Sequence, residues 1–345
     1  MCNRLKVAIT MGDPAGIGAE IIIKSLKNTK VYEQCIPIVI GDREPLNDAI
    51  NYCNSNLKLN ELNDIDEARG ECGIVDYINL KYLKPNSWKY GEPQALCGEA
   101  SFNYITYAIK LAMDKKVSAV ITAPISKEAL HLAGYHYSGH TEIFADYTNT
   151  HKYGMLLASG NLRVIHVSTH VSLREACDRV KKDRVLDVIK LAQEGLNLLG
   201  IENPKIAVAG LNPHCSENGL FGYEEKDEII PAIVEAQKIG LNVEGPYSPD
   251  TIFTKGLVGQ YDVIVAMYHD QGHIPLKLSG FRMNEKTKTY SSMSGINCTI
   301  GLPIIRSSVD HGTAYGKAGE GNALEESMLD AIFAGITMAK NKFYI

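Results

Sequence analysis

Tyr261-Asp-Val-Ile-Val-Ala-Met-Tyr-His-Asp-Gln-Gly272 is the stretch on which the reading of the fold turns. Val263 to Met267 is short, apolar and rich in β-branched residues, the composition of a buried parallel strand. It gives way at once to His269, Asp270 and Gln271. Open α/β sheets take their ligands beyond the carboxyl ends of their strands. This strand is therefore expected to deliver polar chemistry to a binding crevice. Two other apolar runs end the same way: Leu162 to Val167 leads into Ser168-Thr-His170, and Lys205 to Ala209 into Gly210-Leu-Asn-Pro-His214.

Outward from these strands, apolar runs alternate with helical periodicity. Val7–Thr10, Ile36–Ile40, Ala119–Thr122 and Cys298–Ile305 read as further strands. Ala19–Leu26, Glu99–Lys115, Asp183–Leu199, Glu224–Ile239 (with a kink or restart at Pro231) and Asn322–Lys340 read as helices. Ser172 with Glu175 looks like a capping box. Residues 51–97 are polar with little periodicity, and 279–295 reads as a mobile loop. The alternation predicts an α/β class with a mostly parallel sheet.

The chain has 345 residues, enough for two lobes, and 45% of them are apolar. A net charge of −5 gives no basic face for nucleic acid. No apolar run approaches the roughly 20 residues of a membrane span. The start of the chain runs straight into a strand, so no signal peptide is expected. The eight cysteines form no C-x-x-C pair, which suggests reduced thiols and a cytoplasmic setting.

His170, His214 and His269 each follow a predicted buried strand. Three imidazoles without a fourth protein ligand suit an open catalytic metal site, although each alone is ordinarily a loop histidine. Cys215 is read as a bystander. Lys127, Lys277 and Arg306 stand near strand ends, where cations suit a carboxylate or phosphate. His140 and Thr141, in a glycine-flanked loop, could hold an oxyanion. Met11-Gly-Asp-Pro-Ala-Gly-Ile-Gly18 lacks the G-x-G-x-x-G spacing of a dinucleotide fingerprint and is read first as a tight turn.

Taken together, Thr10–Gly18, Thr122-Ala-Pro-Ile-Ser-Lys127, Gly139-His-Thr-Glu142, Gly210-Leu-Asn-Pro-His214, Asp250-Thr251, Tyr268-His-Asp-Gln-Gly272 and Asp310-His-Gly-Thr-Ala314 resemble the 4-hydroxythreonine-4-phosphate dehydrogenase (PdxA) family, in order and over most of the chain. The resemblance implies an isocitrate/isopropylmalate dehydrogenase-like fold. Residues 1–125 with 300–345 would form a nucleotide-side lobe, 126–299 a metal- and dimer-side lobe, with the active site in the cleft. It implies a homodimer with shared active sites and one divalent ion (Zn, Mg, Co or Mn) on His170, His214 and His269, the last from the partner. It also implies NAD or NADP at Asp310, His311, Gly312, Thr313 and Ala314. Substrate would be held by His140, Thr141, Lys277, Asn297 and Arg306, with Asp250 and Lys277 as candidate proton acceptors. The implied reaction, in pyridoxine and pyridoxal phosphate biosynthesis, oxidises 4-phosphooxy-L-threonine at its 3-hydroxyl; the product then loses CO₂ to give 3-amino-2-oxopropyl phosphate.

Three features depart from the family pattern: Ala19 for the usual proline, the long 279–295 segment ahead of Asn297, and His273 after Asp-Gln-Gly. They leave 4-phospho-D-threonate or 4-phospho-D-erythronate as alternative substrates. More remote readings are a metal-dependent phosphohydrolase and a non-catalytic metal- or anion-binding protein.

Overall fold

A computed structural model describes residues 4–286, 288 and 290–343, and the chain divides into two compact units, 1–150 with 302–340 and 151–301 with 341–345. Residues 126–150 thus belong with the first unit rather than the second, because the helix at Lys127–Leu132 packs on the one at Ala95–Met113.

The first unit runs β1 (Leu5–Thr10), α1 (Gly18–Ser25), α2 (Thr29–Gln34), β2 (Cys35–Gly41), α3 (Arg43–Tyr52), β3 (Lys58–Glu61), β4 (Ile74–Asn79), α4 (Ala95–Met113), β5 (Ala119–Thr122), α5 (Lys127–Leu132) and α6 (His140–Tyr147). The second runs β6 (Gly154–Ser159), β7 (Leu162–His166), α7 (Leu173–Asp178), α8 (Lys182–Leu198), β8 (Ile206–Ala209), α9 (Ile230–Lys238), β9 (Val243–Tyr247), α10 (Ile252–Leu257), β10 (Val263–Ala266), α11 (His269–Gly280), β11 (Phe281–Met283), β12 (Tyr290–Met293) and β13 (Ile296–Ile300). The chain then returns to the first unit with β14 (Arg306–Val309) and ends in α12 (Glu326–Phe343).

In the first unit the strand order is β3-β4-β2-β1-β5-β14, parallel throughout. Val7, Ile9, Ile38, Ile40 and Val120 are fully buried, as are Ile21 to Ile23 of α1 and Tyr104 and Ala108 of α4, the helix that packs on β1, β2 and β5. In the second the order is β13-β6-β7-β10-β8-β9, with β6 antiparallel to both neighbours and the rest parallel. Val265 pairs with Ile165 on one side and Val208 on the other. This register brings the carboxyl ends of β7, β10 and β8 to one edge, so the segments carrying His170, His269 and His214 all leave from it. Their core is Leu157, Val164, Ala207, Ile252, Ile264 and Leu276.

Three stretches differ from their sequence reading. Within 51–97, β3 and β4 form a parallel pair at the sheet edge. Asp76 of β4 is buried, with its carboxylate accepting from Arg69 N and Gly70 N, each at 2.8 Å, and Asn60 Nδ2 at 2.6 Å. Such tertiary pairing makes a polar residue tolerable inside a strand. The supposed loop at 279–295 holds an antiparallel hairpin, β11–β12, with Thr287 and Thr289 outside the described residues. The run Cys298–Ile305 splits at Gly301, whose φ is +94°, into antiparallel β13 and parallel β14. Arg306 therefore opens a buried strand instead of closing one. The turn Met11–Gly18 is tight, as read: a Cβ on Gly12 would sit 2.3 Å from the Pro124 carbonyl oxygen.

Candidate functional site

In the second unit, β10 ends against α11, whose first residue is His269. Gln271 locks this junction: its Oε1 accepts from Met267 N at 2.7 Å and its Nε2 donates to the Gly210 carbonyl at 2.8 Å. The His269 ring is stacked on His273, one helical turn on, with centroids 3.7 Å apart and planes 11° from parallel. His170 lies 5.7 Å from His269, and His166, at the end of β7, 4.7 Å from His273.

The tautomers follow from the hydrogen bonds. His269 Nδ1 is 2.7 Å from an Asp270 carboxylate oxygen, so Nδ1 carries the proton and Nε2 the lone pair. His273 Nδ1 donates to the His269 carbonyl at 3.0 Å, which also leaves its lone pair on Nε2. Burial, then His269, pushes the His273 pKa down to about 4. Burial, then His273, pushes that of His166 down to about 3. The Nε2 of His166 is buried with no hydrogen-bond partner among the described residues. Lys277, a further turn along α11, places its ammonium over the Phe281 ring at 4.7 Å.

His214 sits apart, exposed in Pro213–Glu217, where no ring contact among the described residues joins it to this cluster. Asp250, also exposed, accepts from Ser248 Oγ at 2.6 Å. Asn297 of β13 directs its amide at Met155 Sδ, 2.9 Å away.

The first unit gathers a second set. Arg306 is only 2% exposed, with Nη2 donating to Thr122 Oγ1 at 2.9 Å and the guanidinium 5.6 Å from the Phe144 ring centroid. His140 and Thr141 open α6. His140 keeps some surface exposure, but its Nε2 is shut off and unpartnered among the described residues. Burial, then the Arg306 charge, holds its pKa well below the ordinary value. Lys127 Cε lies 4.0 Å from where a Cβ on Gly139 would stand.

The glycine-rich turn ties three of its amides to protein carbonyls. Asp13 N donates to the Pro124 carbonyl at 2.8 Å, Gly16 N to that of Asp13 at 3.0 Å, and Ile17 N to that of Thr313 at 3.1 Å. The buried Asp13 carboxylate accepts from Ala15 N at 2.8 Å and from the Tyr315 hydroxyl at 2.7 Å. The turn is thereby a brace for residues 310–315, where His311 Nδ1 lies 3.0 Å from the Gly312 carbonyl and Ala314 is left-handed at φ +46°.

The donor chemistry suits a divalent metal, since Asp270 fixes His269 with Nε2 as the acceptor. Among the described residues, however, no group of three or more His, Cys, Asp or Glu is placed to hold one. One chain brings together two of the three expected imidazoles, His170 and His269. Two residues of the cluster lie outside the sequence expectation. His166 sits inside a buried strand, where no local signal marks it as a site residue. His273 departs from the family pattern, and its i,i+4 spacing to His269 marks a shared helix face.

The family model described as pyridoxal phosphate biosynthetic protein PdxA matches residues 33–334. A relative from Oceanobacillus iheyensis, provisionally named D-threonate 4-phosphate dehydrogenase, is 48% identical over 99% of this chain and 100% of its own. Crystal structures titled 4-hydroxythreonine-4-phosphate dehydrogenase include one from Klebsiella pneumoniae, 41% identical with a TM-score of 0.83 over 98% of each chain. Another, from Burkholderia phymatum, is 42% identical with a TM-score of 0.80 over 97% of this chain and 98% of its own.

Proposed function

The chain belongs to the PdxA family of dehydrogenases, and from that premise we propose that it oxidises 4-phospho-D-threonate with NAD or NADP. The observation that carries the choice of substrate is the name borne by relatives that match nearly the whole chain, D-threonate 4-phosphate dehydrogenase, at 48% identity over 99% of this chain for one and 42% over 98% for another. The two acids differ at C2, where 4-phosphooxy-L-threonine bears an ammonium and 4-phospho-D-threonate a hydroxyl. One departure from the family pattern, His273, stacks on the candidate ligand His269. The other departure, the β11–β12 hairpin, follows the same helix.

In this reading Arg306, Lys277, His140 and Thr141 hold the phosphate and carboxylate, with Asn297 a further contact. Residues 310–314 receive the nucleotide. Asp250 or Lys277 takes the 3-hydroxyl proton while hydride leaves C3. A divalent ion on His170, His214 and His269, one of them from a second copy of the chain, would supply Lewis-acid stabilisation at the 3-oxygen. Oxidation yields a 2-hydroxy-3-oxo acid. Loss of CO₂ and protonation at C2 then leave dihydroxyacetone phosphate, so one NADH and one CO₂ form with no net proton.

A second reading, 4-phosphooxy-L-threonine, is favoured by the titles of the similar crystal structures. NADH absorbance with 4-phospho-D-threonate, 4-phospho-D-erythronate and 4-phosphooxy-L-threonine separates them. The expected result is a kcat/KM at least about tenfold higher for D-threonate phosphate than for the amino acid, a difference of about 1.4 kcal/mol. The reverse preference would establish the second reading. NAD-independent phosphate release would instead point to a phosphohydrolase.

A further inference from the structure

We propose that Glu225 is a positioning residue for His214, holding it at the head of a left-handed turn that the chain has no local reason to adopt. The inference rests on the reading of His214 as a metal ligand. Five consecutive residues, none of them glycine, have positive φ: His214 (+51°), Cys215 (+55°), Ser216 (+65°), Glu217 (+46°) and Asn218 (+59°). L-residues visit this region singly, because Cβ crowds the following carbonyl. Burial does not explain the excursion, since His214, Glu217 and Asn218 are exposed and so are Leu220 and Phe221 just beyond.

The turn is held from its base. Glu225 is 2% exposed, and its Oε1 accepts from Leu211 N at 2.8 Å and Asn212 N at 2.7 Å. Its Oε2 accepts from Asn212 Nδ2 at 2.9 Å, and that same amide donates to Glu224 Oε2 at 2.8 Å. Asn212 in turn offers its carbonyl to Cys215 N at 3.2 Å. A Cβ on Gly210 would stand 3.1 Å from Glu225 Oε1 and 2.9 Å from Cys215 Sγ, so glycine there lets the two segments close. Glu225 opens a π-helical turn, Glu225–Ile229, a geometry that recurs at functional sites. The Gly210 carbonyl is also where Gln271 docks, so the base of the His214 turn is tied to the helix that begins with His269. Backbone held in a sparsely populated region by a fully hydrogen-bonded buried carboxylate is the pattern of a ligand set before its ion arrives.

The test is a cobalt(II) titration of metal-stripped full-length protein, whose visible spectrum reports imidazole ligation. Glu225→Ala is expected to weaken cobalt binding about 10- to 100-fold and to alter the spectrum, with KM for NAD unchanged. Asn212→Ala, which keeps the bonds from Glu225 to the backbone, is expected to lose less. Glu217→Gly, at an exposed left-handed position, is expected to raise the thermal midpoint by a few degrees, because glycine removes the Cβ clash. A folded Glu225→Ala protein with wild-type cobalt affinity and spectrum overturns the proposal. If that variant does not fold, wild-type cobalt binding in Asn212→Ala overturns it. A lowered midpoint in Glu217→Gly also overturns it. Wild-type protein that takes up no cobalt removes the metal reading itself, a different failure from a metal site indifferent to Glu225.

Discussion

Tyr315 shows how one hydroxyl couples two motifs distant in sequence. It donates to the Asp13 carboxylate at 2.7 Å. Tyr315→Phe removes this bond from the segment read as the nucleotide loop. A loss of about 1 kcal/mol should raise KM for NAD about fivefold while KM for the acid stays put. Equal changes in both constants would count against the loop assignment. His140 supports a pH prediction in the first unit. Its folded pKa lies below the 6.5 of the free ring because burial and Arg306 disfavour the charged form. Below that value the unfolded ring takes a proton that the folded ring refuses, so stability is present above it and is lost as pH falls. His140→Gln should therefore flatten the drop in urea midpoint between about pH 7.5 and about pH 5.5, by up to one proton's worth of slope. Identical slopes in the two proteins would refute the buried neutral state. Such residue-scale features are partly legible. His140, Arg306 and the three histidines stand out by motif and position, with Asp270 visible beside His269, whereas Arg306 near His140 and Thr122 on Arg306 come from elements far away in sequence.

At the scale of elements, α11 is the instructive case. His269, His273 and Lys277 fall four residues apart along it, and Pro275 lies inside it. A proline in a helix interior is a strong local signal against helix, which is why this segment reads as a lead into a loop. Tertiary packing of Leu276 into the β7–β10 core outweighs that signal. The hairpin that follows was hidden for a related reason: alternating Ser, Thr and Lys have no clear period until the strands pair. Excising Arg282–Ser292 tests its role. If the hairpin helps select the substrate, the shortened protein should shift its kcat/KM ratio from D-threonate phosphate toward 4-phosphooxy-L-threonine by about tenfold, a change of about 1.4 kcal/mol. A ratio unchanged in a folded, active protein would leave the choice to His273 and its neighbours.

For the whole molecule, each unit closes its own core around buried strands, and the described cysteines are free thiols. Both cores are packed from apolar side chains. Chelation should therefore abolish NAD reduction while leaving circular dichroism unchanged and moving the thermal midpoint by no more than the loss of one bound ligand. Collapse of the fold on chelation would show the metal to be structural. Among the described residues no helix is long and apolar enough to cross a membrane, as the absence of long apolar runs implied. Unlike the edge strands β3, β4 and β9 and the hairpin β11–β12, most of the buried central strands, the α/β class and the strand ends that carry His170, His214 and His269 could be read from the chain alone. Those properties depend on local periodicity and on the rule that parallel strands present their carboxyl ends together. Packing alone settled that His166 joins the His269–His273 pair, that Arg306 is buried, that Met11–Gly18 braces residues 310–315, and that His214 rides a left-handed turn. Each depends on contacts between residues well apart in the sequence, which no local pattern encodes.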